Sequence, residues 1–340
     1  MSQAHAVSKP IAGAPRQDAG LGLVGDIGGT NARFALTDLS KPDDQVFEAQ
    51  SFACRDFPNV HDAVAAYLEQ RSPGRMPTHV VLAVAGPVVD GAIAFTNMSW
   101  RFSERDLRAL GFGQAKLIND FAALAVAAPT LGEADARPIG GLRNPEPNQN
   151  LAVLGAGTGF GVSALARDEH GATPMATEGG HAAFAPNDDV ETEVLRFLRG
   201  RFGRVSLERI LSGPGLANLH EALAAVDGRQ DVRVDPAEIT RLGLAGDQDC
   251  RRTLDRFCAI LGCVAGDLAL TYGAKGGVFI TGGVVAHLID ILEPGPFRRR
   301  FEAKGRFVPY LEAIPTWVIT RPHVALSGAA RVLHALARAG

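Results

Sequence analysis

Nowhere in the 340 residues is there an unbroken apolar run approaching the roughly 20 positions needed to span a bilayer, so residence in a membrane is not expected. Residues 1–20 are rich in Ala, Gly, Pro and Gln and lack the apolar stretch of about 7 to 15 residues that a secretory signal requires. They read as a disordered tail. Cysteine is scarce: Cys54, Cys250, Cys258 and Cys263 show no CxxC spacing and are too few for a disulfide framework, which fits a reducing cytoplasm. Positive charge is not in surplus either, since the net charge is −3, and no basic patch invites nucleic acid. There is no GxxxxGK[ST] stretch, which excludes a P-loop kinase, and Gly157-Thr158-Gly159-Phe160-Gly161 has the wrong glycine spacing for a dinucleotide fingerprint.

Core material, by contrast, is ample, with 46% hydrophobic residues. The chain exceeds what one hydrophobic core normally supports, so two domains or two lobes around a cleft are expected. Its most informative segment is Leu23 to Leu36, two apolar runs joined at Gly28-Gly29. This reads as a tight hairpin whose glycines tolerate positive φ and leave room near the backbone, so that free N–H groups can face an anion. Asp26 enters the turn, and a carboxylate beside phosphates usually acts through Mg²⁺ and its waters. An ordinary hairpin with a solvated Asp is the competing reading of this segment alone.

The same theme of strand, Gly/Thr turn and strand returns at Leu151 to Leu165, 130 residues on from Gly25 to Gly155. That offset suggests a duplicated α/β lobe rather than a solenoid. Between the hairpins, Val60, Ala63, Val64, Tyr67 and Leu68 follow helical spacing behind Asn59 as N-cap, and Ser103 with Asp106 resembles a capping box. Asp90-Gly91 marks a turn. The strand Ala115–Ile118 runs into Asn119-Asp120 and a helix from Phe121 to Ala128, which puts Asp120 at the C-terminal end of a strand, where open α/β sheets collect ligands. Helices are also expected from Asn187-Asp188-Asp189, after Ser212-Gly213-Pro214-Gly215, and over Phe257 to Tyr272. The last leads into Val278-Phe279-Ile280-Thr281-Gly282-Gly283, where bare backbone could lie against a purine. Taken alone, Asp120 reads as an N-cap, His181 as a structural hydrogen-bonding residue, and Glu208 as a first-turn helix acid behind Ser206.

Six blocks occur in order: Gly25 to Arg33, Ile118 to Phe121, Gly155 to Gly159, Glu178-Gly179-Gly180-His181, Glu208 to Gly215 and Gly276 to Gly283. In these the chain resembles, from about residue 21 to its C-terminus, the bacterial ATP-dependent glucokinases of the hexokinase/actin/heat-shock-ATPase superfamily. The resemblance implies an α/β, two-lobed actin-like ATPase (ribonuclease H-like) fold with a duplicated βββαβα core and an interlobe active-site cleft. The small lobe would comprise residues 21–130 with the C-terminal helix 323–340 packing back on it, and the large lobe 131–322. The implied reaction is phosphoryl transfer from ATP to the 6-hydroxyl of D-glucose, the entry step of glycolysis.

Residue by residue, the resemblance implies that Asp120 is the base and that Asn119, Glu178, His181 and Glu208 contact the other sugar hydroxyls. It further implies that Gly25, Asp26, Ile27, Gly28, Gly29, Thr30, Asn31, Gly155, Gly157, Thr158 and Gly159 hold phosphates, with Gly282 and Gly283 beside the adenosine and Mg²⁺ near Asp26 through water. Thr96-Asn97 resembles a further sugar-side turn. The cysteine-rich zinc motif of the related repressor and sugar-kinase group is absent, so no structural zinc is expected, and a cytoplasmic homodimer is. Alternatives are a kinase for another hexose or amino sugar, a sugar sensor that has abandoned catalysis, and a chaperone-like ATPase. Asp26, Asp120 and both hairpins count against the sensor; Glu178, His181 and Glu208 count against the ATPase.

Overall fold

The computed structural model describes residues 16–72, 74–95, 98–141, 143–229 and 232–339. The chain divides into two compact units, 1–129 with 322–340, and 130–321. In the first unit an antiparallel meander, β1 (Arg16–Ile27), β2 (Asn31–Asp38) and β3 (Phe47–Ala53), leads through helix α1 (Val60–Arg71) to β4 (Arg75–Val84). The small ribbon β5 (Ala92–Ala94) and β6 (Arg101–Ser103), helix α2 (Glu104–Ala109), β7 (Gln114–Asn119) and helix α3 (Asp120–Ala127) follow. The sheet order is β3-β2-β1-β4-β7, with β4 parallel to both β1 and β7.

The second unit begins with an edge strand β8 (Ala136–Pro138) and a second meander, β9 (Leu151–Ala156), β10 (Phe160–Arg167) and β11 (Ala172–Ala176). Helices α4 (Asp189–Phe202), α5 (Gly213–Val226), α6 (Pro236–Leu244) and α7 (Gln248–Tyr272) precede β12 (Gly277–Thr281). Short helices α8 (Gly283–Ala286), α9 (Ile289–Leu292), α10 (Pro296–Glu302) and α11 (Val308–Glu312) lead to β13 (Thr316–Ile319). Its sheet order, β11-β10-β9-β12-β13-β8, repeats that of the first unit with one added edge strand. The final helix α12 (Val324–Ala339) belongs to the first unit.

Period-two alternation decides what each face of the first sheet meets. Leu23, Ile27, Phe34 and Leu82 join Val60, Val64 and Tyr67 of α1 in one core. Val24, Ala35 and Val81 on the opposite face are covered by Leu326, Ala329, Ala330 and Leu333 of α12. Helix α12 also closes on α3, where a Cβ on Gly328 would lie 1.9 Å from the Ala123 carbonyl oxygen. In the second unit the fully buried Glu191 fixes three helices together. It accepts from Arg256 at 3.0 Å and Arg300 at 2.7 Å, joining α4 to α7 and α10.

Local signals account for several boundaries. Asn59 caps α1 by accepting from Asp62 N–H, and Ser103 and Asp106 form the expected capping box. Asp90 and Gly91 take φ values of 51° and 69°, and Val89 and Ala92 exchange both backbone bonds around them. Three expectations need correction. Residues 1–15 lie outside the described residues, but 16–20 are strand: β1 pairs with β4 from Arg16 opposite Arg75, and Asp18 accepts from Arg75 Nε at 2.8 Å. Helix α7 starts at Gln248 rather than near Phe257, because Asp247 caps it through the Cys250 N–H. Ser206 makes no side-chain cap; it precedes a single 3₁₀ turn, Leu207–Arg209.

Candidate functional site

In the first unit, the turn between β1 and β2 is closed by the Gly28 N–H donating to the Asn31 carbonyl at 2.9 Å. The Cys54 N–H donates to the Thr30 carbonyl at 2.8 Å, tying the turn to the end of β3. Gly28 and Gly29 are not in the positive-φ region, contrary to the hairpin reading. A Cβ on Gly28 would touch nothing nearer than Asn31 O at 3.7 Å. Their lack of side chains instead leaves bare backbone at a place where Gly29 and Thr30 are exposed. Gly25 has a different reason to be glycine, since its Cβ would lie 2.6 Å from Leu82 Cδ2 in the core. Ile27 is also fully buried, so only its backbone can meet a ligand.

Asp26 stands opposite Arg33 across the hairpin and accepts from its Nη1 at 3.3 Å. Burial pushes the Asp26 carboxyl above its ordinary pKa, against the opposing pull of Arg33 and, more weakly, His323. At the far end of β7, Asn119 and not Asp120 caps α3: its Oδ1 accepts from the Ala122 N–H at 3.1 Å while its Nδ2 donates to Gly86 O at 3.4 Å. Asn119 is therefore buried and largely occupied by structure. Asp120, relieved of capping, is half-buried at the first helical position, its Oδ1 accepting from the Phe121 N–H at 2.9 Å. Thr96 and Asn97 lie outside the described residues.

In the second unit the turn between β9 and β10 carries Gly157, Thr158 and Gly159, with the Gly157 N–H donating to Gly159 O at 2.9 Å. Glu208 reaches this turn from 48 positions away, its Oε2 accepting from the Phe160 N–H at 3.0 Å. A Cβ at position 159 would sit 2.5 Å from that same oxygen. The other side of Phe160 is equally close to Gly180, whose Cβ would fall 1.7 Å from the Phe160 carbonyl oxygen. Gly179 to His181 is a single 3₁₀ turn that leaves Glu178 and His181 exposed and side by side, with Nε2 and Oε2 4.0 Å apart.

Further backbone bonds lock these parts together. Leu207 N–H donates to Ala182 O, and Gly213 N–H donates to Gly157 O at 2.8 Å. Ser212 Oγ donates to Glu208 O at 2.7 Å and accepts from Gly215 N–H, capping α5. Gly282, at φ 109°, brings the end of β12 onto the end of β9, where its Cβ would be 2.2 Å from Ala156 O; Gly283 beside it is open. Thus Gly157, Thr158, Gly159, Glu178, His181 and Glu208 come together within the second unit, and Gly282 adjoins them through Ala156. Sequence reasoning missed Phe160, Arg33 and the Arg204 guanidinium that donates to His181 O at 2.7 Å. Arg33 faces Asp26 across a hairpin that the sequence does announce, whereas Phe160 and Arg204 stand in no local pattern that announces their partners.

Among the described residues no group of three or more His, Cys, Asp or Glu side chains gathers to hold a metal ion, and no helix is long and apolar enough to cross a membrane. Residues 23–336 match the family model described as Glucokinase. The chain is 53% identical over 312 residues to the glucokinase of Caulobacter sp. (strain K31), covering 92% of this chain and 94% of that one. Among solved structures, a glucokinase from an Antarctic psychrotroph superposes with a TM-score of 0.85 at 39% identity, covering 94% of this chain and all of the other. A ROK family glucokinase from Streptomyces griseus, solved with glucose and AMPPNP, has a TM-score of 0.62 at 20% identity over 94% of this chain and 100% of that one. This last likeness concerns the fold.

Proposed function

The chain belongs to the glucokinase family, and we propose that Asp120 is the base in its reaction, the transfer of the γ-phosphoryl group of ATP to the 6-hydroxyl of D-glucose. Its fold is that of the actin-like ATPases, seen here as one strand order used twice. In a loose phosphoryl-transfer transition state the nucleophile needs positioning more than activation, and its proton leaves late. A carboxylate held by the Phe121 N–H at the start of α3 suits that task. Glu178, His181 and Glu208 take the remaining hydroxyls, and Asn119, whose Oδ1 caps α3, adds the Nδ2 proton that Gly86 O does not use. A sugar lacking one of those hydroxyls leaves a polar side chain unpaired, which is how such a site discriminates.

The turn residues Gly28, Gly29, Thr30 and Asn31 and the turn residues Gly157, Thr158 and Gly159 offer bare backbone to the β- and γ-phosphates, with Gly282 and Gly283 for the adenosine. Gly25, Ile27 and Gly155 lie in the strands that set these turns. The observation that most supports this reading is the tie between Glu208 and Phe160, because it fastens a sugar-binding carboxylate to the phosphate-facing turn. Mg²⁺ fits at Asp26: Arg33 occupies Oδ2, and Oδ1 has no hydrogen bond among the described residues, so a hydrated ion that keeps its waters can be held there. When bound, the ion neutralises charge on the phosphates.

Cys54, Cys250, Cys258 and Cys263 are all buried free thiols, which supports a cytoplasmic setting. A homodimer is expected from the family and is checked by light scattering of the purified chain. The activity is tested by ADP release from Mg-ATP with glucose, fructose, mannose, galactose, N-acetylglucosamine and N-acetylmannosamine, beside a no-sugar control. Release with glucose alone supports the reading. Release with another sugar transfers the same residues to a different substrate, and release without sugar refutes it.

A further inference from the structure

A cavity of about 540 Å³ opens in the first unit at the last turns of α12, and none of the residues assigned to the reaction lines it. Its walls include Lys41 and Asp43 from the β2–β3 connection, His79 from β4, and His334 and Arg338 from α12. That volume suits a small metabolite. The one carboxylate on the wall is already neutralised, since Asp43 accepts from Arg331 at 2.8 Å and faces Arg338 at 3.6 Å. The Lys41 ammonium has no ion-pair partner among the described residues; neighbouring Asp38, which the Ser40 N–H at 2.9 Å and hydroxyl at 2.7 Å hold ionised, acts on Lys41 and His334 without a direct ion pair.

The buried His334 is a third wall group, and its tautomer is fixed by its neighbour. Thr37 Oγ1 donates its proton to Gln45 O at 2.8 Å, so at 3.0 Å from His334 Nε2 it must accept. The imidazole therefore carries its proton on Nε2, and Nδ1 is without a hydrogen-bond partner among the described residues. Burial favours the neutral ring, lowering the His334 pKa, and an arriving anion opposes burial by favouring protonation at Nδ1, which would then donate.

We propose that this cavity binds a small phosphate-bearing anion, held by Lys41 and Arg338 with His334 as the third contact. Charge-assisted bonds from a lysine, a guanidinium and an imidazolium are the chemistry that recognises such a group. Occupancy has a route to the reaction. His334 lies six residues, about 9 Å, along α12 from Gly328, where α12 meets α3 at backbone contact; α3 opens with Asp120. An occupant that shifts α12 shifts the helix carrying Asp120.

The test is calorimetric titration of the full chain, saturated with glucose and a non-hydrolysable ATP analogue so that the phosphate positions of the reaction are filled. Inorganic phosphate and glucose 6-phosphate are titrated separately. Saturable binding of either, weakened at least tenfold in the double variant Lys41→Met/Arg338→Met and unchanged in the surface control Lys275→Met, is the expected result, and the tighter of the two anions identifies the source of the phosphate. Equal binding by the double variant at an unchanged melting temperature, or no saturable binding of either anion, overturns the site. Turnover at saturating glucose and ATP that is indifferent to the bound anion overturns the link through α12.

Discussion

The Glu208 carboxylate accepts the Phe160 N–H at 3.0 Å through the same oxygen that a Cβ at position 159 would approach to 2.5 Å. Gly159 is thus glycine so that Glu208 can reach the turn. In Gly159→Ala the flexible end of Glu208 gives way rather than the backbone, and its hydrogen bond to the Phe160 N–H, worth about 1.5–3 kcal/mol to the fold, is lost, so the melting temperature should fall by a few degrees. The displaced carboxylate should also raise the KM for glucose. An unchanged KM would detach Glu208 from sugar binding.

Asp120 and Asn119 are neighbours with separable tasks. Asp120→Ala should lower kcat by at least the roughly 10²–10⁴-fold that general bases contribute, while glucose still raises the melting temperature, because the cap of α3 is intact. Asn119→Ala removes that cap and its bond to Gly86 O. It should cost about 1 kcal/mol of stability in chemical denaturation. Near-normal turnover in Asp120→Ala would remove it from the role of base.

Asp26 gives a pH signature. Its carboxyl pKa is raised by burial, only partly countered by Arg33 and His323, so the ionised form costs the fold free energy. Where unfolded Asp26 is already ionised, the native group still holds its proton. Its contribution to stability therefore falls as pH rises from the ordinary carboxylate value through the raised one, and returns as pH falls back. Asp26→Asn should lack that slope. Melting curves across mildly acidic to neutral pH should show the wild type losing ground to the variant as pH rises, and curves that run parallel would contradict the assignment.

Gly328→Ala places a Cβ 1.9 Å from the Ala123 carbonyl oxygen, where neither backbone can yield cheaply. The expected loss is about 1–3 kcal/mol or more of the first unit's stability, as for overpacked cores, accompanied by reduced kcat from displacement of α3. Hydrogen exchange should report faster opening of α3 and α12 while α4 to α7 stay protected. Wild-type exchange in α3 would refute the coupling.

What could be read from the sequence was carried by near neighbours. The Asn59 cap, the Ser103/Asp106 box, the Asp90-Gly91 turn and both hairpins are written within four or five residues of where they act. Glu178 and His181 are three apart and do meet. Glu208 was assigned to the sugar by resemblance alone; its reach to Phe160 spans 48 positions and depends on how the second unit folds. The glycines of the first turn were read for positive φ, yet their use is uncovered backbone. The start of β1 hid in a segment of tail-like composition because its support, Arg75, arrives 57 residues after Asp18. The leading turns of α7 hid because Arg251, Arg252 and Asp255 interrupt the apolar run.

Because α12 is the last helix of the chain but belongs to the first unit, the unit begun earliest on the ribosome is completed last. Residues 130–321 must be made in between, which takes about 10 to 40 s at bacterial synthesis rates of roughly 5–20 residues/s. For that interval the face bearing Val24, Ala35 and Val81 has no covering helix, and α3 has no backing behind Asp120. During that delay the nascent first unit presents an apolar sheet face that a chaperone can hold.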